Sequence, residues 1–434
     1  MKIKNISADL RLRFQNGVFW NVINAIFVQG SALLLNIVLA NILGKTIFGQ
    51  YSMIQNTLLS ISGVAQIATG ITVTKFVAEY RSTEKEKAGK ILGLCSLLTL
   101  ITGLISTVVL IVAGQFVSNY LRAPQLTVLF MIGSFFIFFS VVNGYQVGAL
   151  AGLESYNSIA KGGMVYSLFY VIAGIMFATK WGLEGAVIGL VITSSLRWYV
   201  YYLILRSEGK RQNIFIQYKN VWAERLIISK FALPAAISGI STLPVLWLAN
   251  SFLVRQENGF SQMGLYSAAN NLRVLTLFLP LMLNNVGTSL LNNKKGLGDG
   301  EQFKNLFWIN FIMTAIFISS GIVVVSVAGD RILSLFGKDF IEGRSILLIL
   351  LLSTIPEGLA VAAYQVIQSS ARMWLSLFAV TIPRDLSFIL FAYYLIPKYG
   401  GRGLAVAYSL AWVIACSIII IIVAFFADNR SYVS

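Results

Sequence analysis

The chain has 434 residues, 57% hydrophobic and only 12% charged, with a net charge of +16. An ordinary soluble domain is about 25% charged, so a water-soluble fold is excluded and lipid is the expected solvent. The absence of histidine excludes His metal sites, His-based triads and His proton relays. The basic excess sits in short loops between apolar runs, a mark of membrane insertion and not of nucleic-acid binding.

Lys2, Lys4, Arg11 and Arg13 precede the first apolar run. That run, from Val18 to Leu43, is longer than a signal-peptide core and has no clear small-x-small cleavage site, so it is expected to stay as a first span. Ile3, Ile6, Leu10 and Phe14 fall at helical spacing beside the bases and predict an amphipathic helix on the inner leaflet. About 20 apolar residues cross about 30 Å of hydrocarbon. On that rule there are twelve spans: 17–43, 48–78, 90–114, 126–151, 160–179, 184–206, 230–254, 263–291, 304–328, 343–370, 374–396 and 402–426. Segments this long satisfy their backbones internally as helices. With the N-terminus inside, the inner segments hold 20 Lys and Arg and the outer ones nine, which predicts that both termini are cytoplasmic. Cys95 and Cys416 each lie within an apolar span and are expected to stay unpaired.

Three short words recur. Phe48-Gly49-Gln50-Tyr51-Ser52 returns as Met263-Gly264-Leu265-Tyr266-Ser267, and Tyr145-Gln146-Val147 as Tyr364-Gln365-Val366. Lys180-Trp181-Gly182-Leu183-Glu184-Gly185 returns as Lys398-Tyr399-Gly400-Gly401-Arg402-Gly403; the three offsets are 215, 219 and 218. Matches in one order at near-constant spacing predict a duplicated chain. Residues 1–206 form the N-lobe with spans one to six, and 230–434 the C-lobe with spans seven to twelve. Residues 207–229 form a cytoplasmic amphipathic linker. On it, Phe215, Tyr218, Trp222 and Leu226 repeat at helical spacing, which fits an amphipathic helix on the inner leaflet or, equally, an ordered basic linker. Six spans per repeat keep the halves parallel, and substrate sites in such proteins lie between the halves near mid-depth.

Within the spans, polar residues mark candidate function. Span two carries a stripe of Ser52, Gln55, Asn56, Ser62, Gln66, Thr69 and Thr72; span eight offers Ser267, Asn270, Asn271, Asn284, Asn285, Thr288 and Ser289. Facing lipid, such stripes are unfavourable, so they predict either a wet cavity or interhelical hydrogen bonding. Gly144, Gly148 and Gly152, with Ser140 a turn earlier, form a small-residue ladder for helix packing. A charge at mid-helix costs at least about 2.5–3.5 kcal/mol unless paired or wet. Arg197, Arg273 and Arg384, with Lys75 nearer the cytoplasmic end, therefore read as a cationic cavity lining for an anionic group. The alternative is structural pairing of Arg273 with Glu357 and of Arg384 with Asp385. Glu357 and Asp385 are the deep carboxylates and the candidates for proton or sodium coupling. Six of the seven prolines, at 234, 244, 280, 356, 383 and 397, fall in the second half and predict bends there. Gly44-Lys45-Thr46 lacks the upstream glycine of a phosphate loop, with Leu39 in its place, so no nucleotide site is read there.

Leu43-Gly44 followed by Phe48-Gly49-Gln50-Tyr51-Ser52, and Trp181-Gly182-Leu183-Glu184-Gly185-Ala186 before span six, resemble bacterial polysaccharide-biosynthesis flippases. These are the O-antigen and capsule repeat-unit translocases of the multidrug/oligosaccharidyl-lipid/polysaccharide exporter superfamily. The resemblance implies an all-α integral membrane fold, a V-shaped, MATE-like pair of six-helix lobes, and no enzymatic activity. It implies translocation of a polyprenyl-diphosphate-linked oligosaccharide from the inner to the outer leaflet of the bacterial cytoplasmic membrane by alternating access. Arg suits the diphosphate; Gln55, Asn56, Gln66, Asn270 and Asn271 would meet the sugar. No cofactor is implied beyond a coupling ion. Partners would be membrane lipids, a polysaccharide polymerase and a chain-length regulator. The rival readings are a cation-coupled multidrug exporter, a peptidoglycan-precursor flippase, which typically has two further spans, and a membrane-embedded glycan polymerase or glycosyltransferase.

Overall fold

Helices account for nearly all of the computed structural model, which describes residues 8–66, 69–227, 231–232, 242–296, 300–369 and 373–428. Among the described residues, ten α-helices of 12 residues or more follow one another: α1 (Ala8–Ala65), α2 (Thr69–Tyr80), α3 (Lys85–Tyr120), α4 (Thr127–Gly152), α5 (Tyr156–Gln212), α6 (Thr242–Val254), α7 (Gly259–Gly296), α8 (Gly300–Ser334), α9 (Arg344–Ser369) and α10 (Ile382–Asp428). There is no strand among the described residues. The expected N-terminal face of Ile3, Ile6, Leu10 and Phe14 lies outside the described side chains, as do Asn285, Thr288, Ser289 and Pro234.

Seven described helical stretches are long and apolar enough to cross a membrane. Three of them, at 48–57 residues, are far longer than a crossing needs. Each long stretch is broken where glycine takes a backbone that other residues avoid: Gly44 (φ 70°), Gly182 (φ 57°, ψ −130°) and Gly400 (φ 53°, ψ −130°). The breaks separate expected spans one from two, five from six and eleven from twelve. Large apolar side chains such as Val112, Phe116, Ile312 and Val327 are exposed along α3 and α8, as expected of surfaces solvated by lipid.

The repeated words are repeated structures. Gly182 and Gly400 share one conformation. Three residues after each, Gly185 lies against the Phe177 carbonyl oxygen and Gly403 against that of Leu395, so a Cβ at either would collide with backbone. In the first word, a Cβ on Gly49 would strike the Phe260 carbonyl oxygen, and one on Gly264 that of Lys45. The two contacts are reciprocal, because Phe260 is the counterpart of Lys45 at the same offset. The second word ties helices together. The Tyr145 hydroxyl donates to the Leu92 carbonyl (2.9 Å) and the Gln146 amide to that of Trp198 (3.1 Å), while Gln365 donates to the Asn284 carbonyl (2.9 Å).

Two compact units result: Met1–Ile42 with Ile54–Leu243, and Leu43–Met53 with Pro244–Ser434. In the first, Val73, Ile91, Leu92, Cys95, Tyr145 and Leu150 share a core; in the second, Ala360, Ala363, Val380, Ala415 and Cys416 do. Both cysteines are buried and free, as the sequence led us to expect. The α4 glycine ladder packs on α2: Gly148 meets the backbone of Gly70, Gly152 meets Val77, and the Thr74 hydroxyl donates to the Gly148 carbonyl at 2.8 Å. Pro280, Pro356 and Pro397 sit inside α7, α9 and α10. Ahead of α10, residues Ser376–Thr381 form a wide π-helical turn; Pro383 has no N–H to return to the chain four residues earlier.

The segment after α5 corrects the helical reading of the linker. Asn213 (φ 55°) ends α5 in the left-handed region, Asn220 (φ 58°) again takes a left-handed backbone, and the short 3-10 turn Val221–Glu224 follows. Residues 213–220 instead run as a non-helical strap across α3. A Cβ on Gly89 or Gly93 would collide with the Phe215 or Gln217 carbonyl oxygen, and the Gln217 N–H donates to the Gly89 carbonyl at 3.1 Å.

Candidate functional site

The deep charges gather into two kinds of arrangement. In the second unit, Arg273 on α7 is buried and surrounded. Its Nε donates to the Asn270 side-chain oxygen at 2.9 Å, it pairs with Glu357 of α9, and it donates to the Tyr408 hydroxyl of α10 at 2.7 Å. That hydroxyl donates to the second Glu357 oxygen at 3.1 Å, which closes a three-residue ring across three helices. The guanidinium carbon also lies 4.6 Å from the Tyr408 ring centroid. Arg and Glu expose only 10% and 12% of their side chains, so each charge depends on the other.

A second pair stands near the start of α10, before the Gly400 break. Arg384 donates from Nε (2.8 Å) and a terminal nitrogen (2.6 Å) to one oxygen of Asp385. Its guanidinium lies 4.9 Å from the Trp412 ring centroid, and Trp412 in turn packs edge-on to Tyr408 at 6.3 Å. The two ion pairs thus share an aromatic wall, Tyr408 and Trp412, which are four residues apart on α10. Both deep carboxylates are engaged by arginine.

Arg197 in the first unit differs. It is half-buried on α5, with its guanidinium carbon 4.8 Å from the Tyr166 ring centroid and 5.5 Å from that of Tyr201. No carboxylate pairs with it among the described residues, and its Nε has no hydrogen-bond partner there. It is a guanidinium held in place by aromatic faces with its charge uncompensated. Lys75 is exposed on α2, with its ammonium 4.1 Å from the Phe231 ring centroid.

The uncharged candidates divide. Gln55 and Asn56 are half-buried, whereas Ser52, Ser62, Thr69 and Thr72 of the same stripe are buried. Ser62 and Thr69 donate to their own helix, at the Leu59 (3.1 Å) and Gln66 (2.7 Å) carbonyls. The Gln66 side chain lies against Gly144, so it fills the α2–α4 crossing. Asn270 positions Arg273, and Asn271 is half-buried beside it. Sequence reasoning missed Tyr166, Tyr201, Tyr408 and Trp412. The signal was present in part: Tyr201 lies four residues after Arg197, and Tyr408 and Trp412 are themselves four apart, one helical turn in each case.

With seven described helical stretches long and apolar enough to cross a membrane, the protein is a multi-pass membrane protein. Residues 14–287, more than half of the chain, match the family model described as polysaccharide biosynthesis protein, and the chain belongs to that family. No curated protein sequence matches it. Among solved structures, the lipid II flippase MurJ in an inward closed conformation is similar with a TM-score of 0.77 at 17% identity, over 94% of this chain and 87% of that one. A MOP superfamily transporter from Pyrococcus furiosus, described as having a binding pocket of reverse polarity, is similar with a TM-score of 0.72 at 16% identity, over 95% of each chain. An inward-facing MATE family multidrug resistance transporter gives 0.69 at 15%, over 96% of each. The fold is therefore the one shared by these MATE-like structures.

Proposed function

We propose that this protein flips polyprenyl-diphosphate-linked oligosaccharide repeat units from the inner to the outer leaflet of the bacterial cytoplasmic membrane by alternating access. The product would feed O-antigen, capsule or exopolysaccharide synthesis. The observation that carries this reading is Arg197: a deep guanidinium with no carboxylate, splayed between two tyrosine faces, is suited to a phosphate's negative charge and bidentate geometry. Family membership supports the substrate class, and the lipid-linked cargo named for MurJ is of the same chemical kind.

Arg273 and Arg384 take a second role in this proposal. Each is neutralised in place, so substrate phosphate would have to displace a carboxylate, and protonation of Glu357 or Asp385 would release the partner arginine. That makes Glu357 and Asp385 the sites for coupling to a proton or sodium gradient. Export of cationic drugs would instead call for unpaired acids, and both deep acids are tied to arginine. With both termini cytoplasmic, a polymerase and a chain-length regulator would act on the delivered units. Deletion of the gene tests the reading: a lipid-linked oligosaccharide should accumulate on the cytoplasmic face. Accumulation of none, with surface polysaccharide unchanged, would refute it.

A further inference from the structure

The strap that follows α5 has two sharply different faces. Ile214 and Val221 are buried, and Ile216 packs on the first unit's core. Phe215, Tyr218, Trp222 and Leu226 are each 54–58% exposed. Lys219 and Arg225 are exposed among them, as are Lys210 and Arg211 at the end of α5. The strap's backbone is fixed at Gly89 and Gly93, Lys85 donates to the Gln212 carbonyl at 2.9 Å, and the Tyr218 hydroxyl lies 3.5 Å from that of Ser96. The aromatic row is therefore presented by a clamped backbone.

Neither bulk water nor hydrocarbon suits this face. Water disfavours three aromatic rings and a leucine in one row. Hydrocarbon disfavours the interleaved Lys219 and Arg225 and a strap backbone with few internal hydrogen bonds. The headgroup layer suits both, since Trp and Tyr concentrate at the membrane–water boundary and basic side chains are attracted to anionic lipid. The strap also begins directly where a membrane-length helix ends, at Gln212. We propose that residues 213–227, the non-helical strap 213–220 and the short turn after it, form a clamped anchor that lies in the headgroup layer and selects anionic phospholipid.

The test uses the full-length protein in nanodiscs of phosphatidylcholine with and without phosphatidylglycerol. The fluorescence of Trp222 is taken as the difference between wild type and Trp222→Phe. It should be quenched by lipid brominated near the headgroup and shielded from acrylamide, more strongly with phosphatidylglycerol present. Preferential retention of phosphatidylglycerol, read by native mass spectrometry, should fall about fivefold for each base removed in Lys219→Gln and Arg225→Gln. These side chains are exposed, so thermal stability should not change. Acrylamide reaching Trp222 freely, with no quenching by lipid, would show a water-facing surface for a protein partner and overturn the proposal. Equal quenching in both lipids, with no effect of the base substitutions, would overturn its anionic selectivity.

Discussion

Removing one member of the Arg273–Glu357–Tyr408 ring should cost far more than removing two. Glu357→Gln leaves a guanidinium that is 10% exposed with neutral partners in place of a carboxylate, among them the Tyr408 hydroxyl and the Asn270 amide oxygen. Breaking a buried pair from one side costs about 3–5 kcal/mol. Arg273→Gln strands the carboxylate and should cost a similar amount. The double substitution removes both charges and keeps two amides able to bond each other and Tyr408, so it should recover at least half of the worse single loss. With single losses of about 3 kcal/mol or more, a coupling energy of about 4 kcal/mol or more is expected from the cycle. Thermal unfolding in detergent, with two-state behaviour checked, supplies the stabilities. If the two single losses simply add in the double variant, the charges do not depend on each other and the reasoning fails.

Other expectations follow from backbone geometry. Gly49→Ala drives a methyl group into the Phe260 carbonyl and should destabilise by about 1–3 kcal/mol, whereas Gly30→Ala, with nothing within 4 Å, should be neutral or stabilising; expression and melting temperature distinguish them. Gly182→Ala and Gly400→Ala each force a side chain into a left-handed backbone and should each cost about 1–3 kcal/mol, to a similar extent if the repeats are equivalent. A large melting shift in one and none in the other would contradict that equivalence.

Much of this was legible in the sequence, for definite reasons. The duplication showed because its words are built on glycines whose positions admit no Cβ, such as Gly185 and Gly403, and such constraints leave a textual trace. Arg273 and Glu357 could be paired on paper, because lone charges are so unfavourable in lipid. The aromatic partners were harder to see. Tyr166, Tyr201, Tyr408 and Trp412 read as ordinary apolar filling in a chain that is 13% aromatic. The linker misled because Phe215, Tyr218, Trp222 and Leu226 happen to mimic helical spacing. What overrode it lies more than a hundred residues away, in the bare backbone that Gly89 and Gly93 offer to an extended chain. The ranking of the arginines likewise came from three dimensions. The sequence offered all three deep arginines as a cationic lining; the structure ties Arg273 and Arg384 to carboxylates and sets Arg197 beside two tyrosine rings.

The most direct measurement is flipping by the purified protein in proteoliposomes, using a fluorescent polyprenyl-diphosphate oligosaccharide whose outer-leaflet arrival is read by chemical quenching. Two charge-assisted hydrogen bonds to phosphate are each worth about 1.5–3 kcal/mol, so Arg197→Gln should slow transport at least tenfold with the protein still folded, and Arg197→Lys should retain part of the rate. Wild-type rates in Arg197→Gln would contradict the claim that this arginine receives the diphosphate.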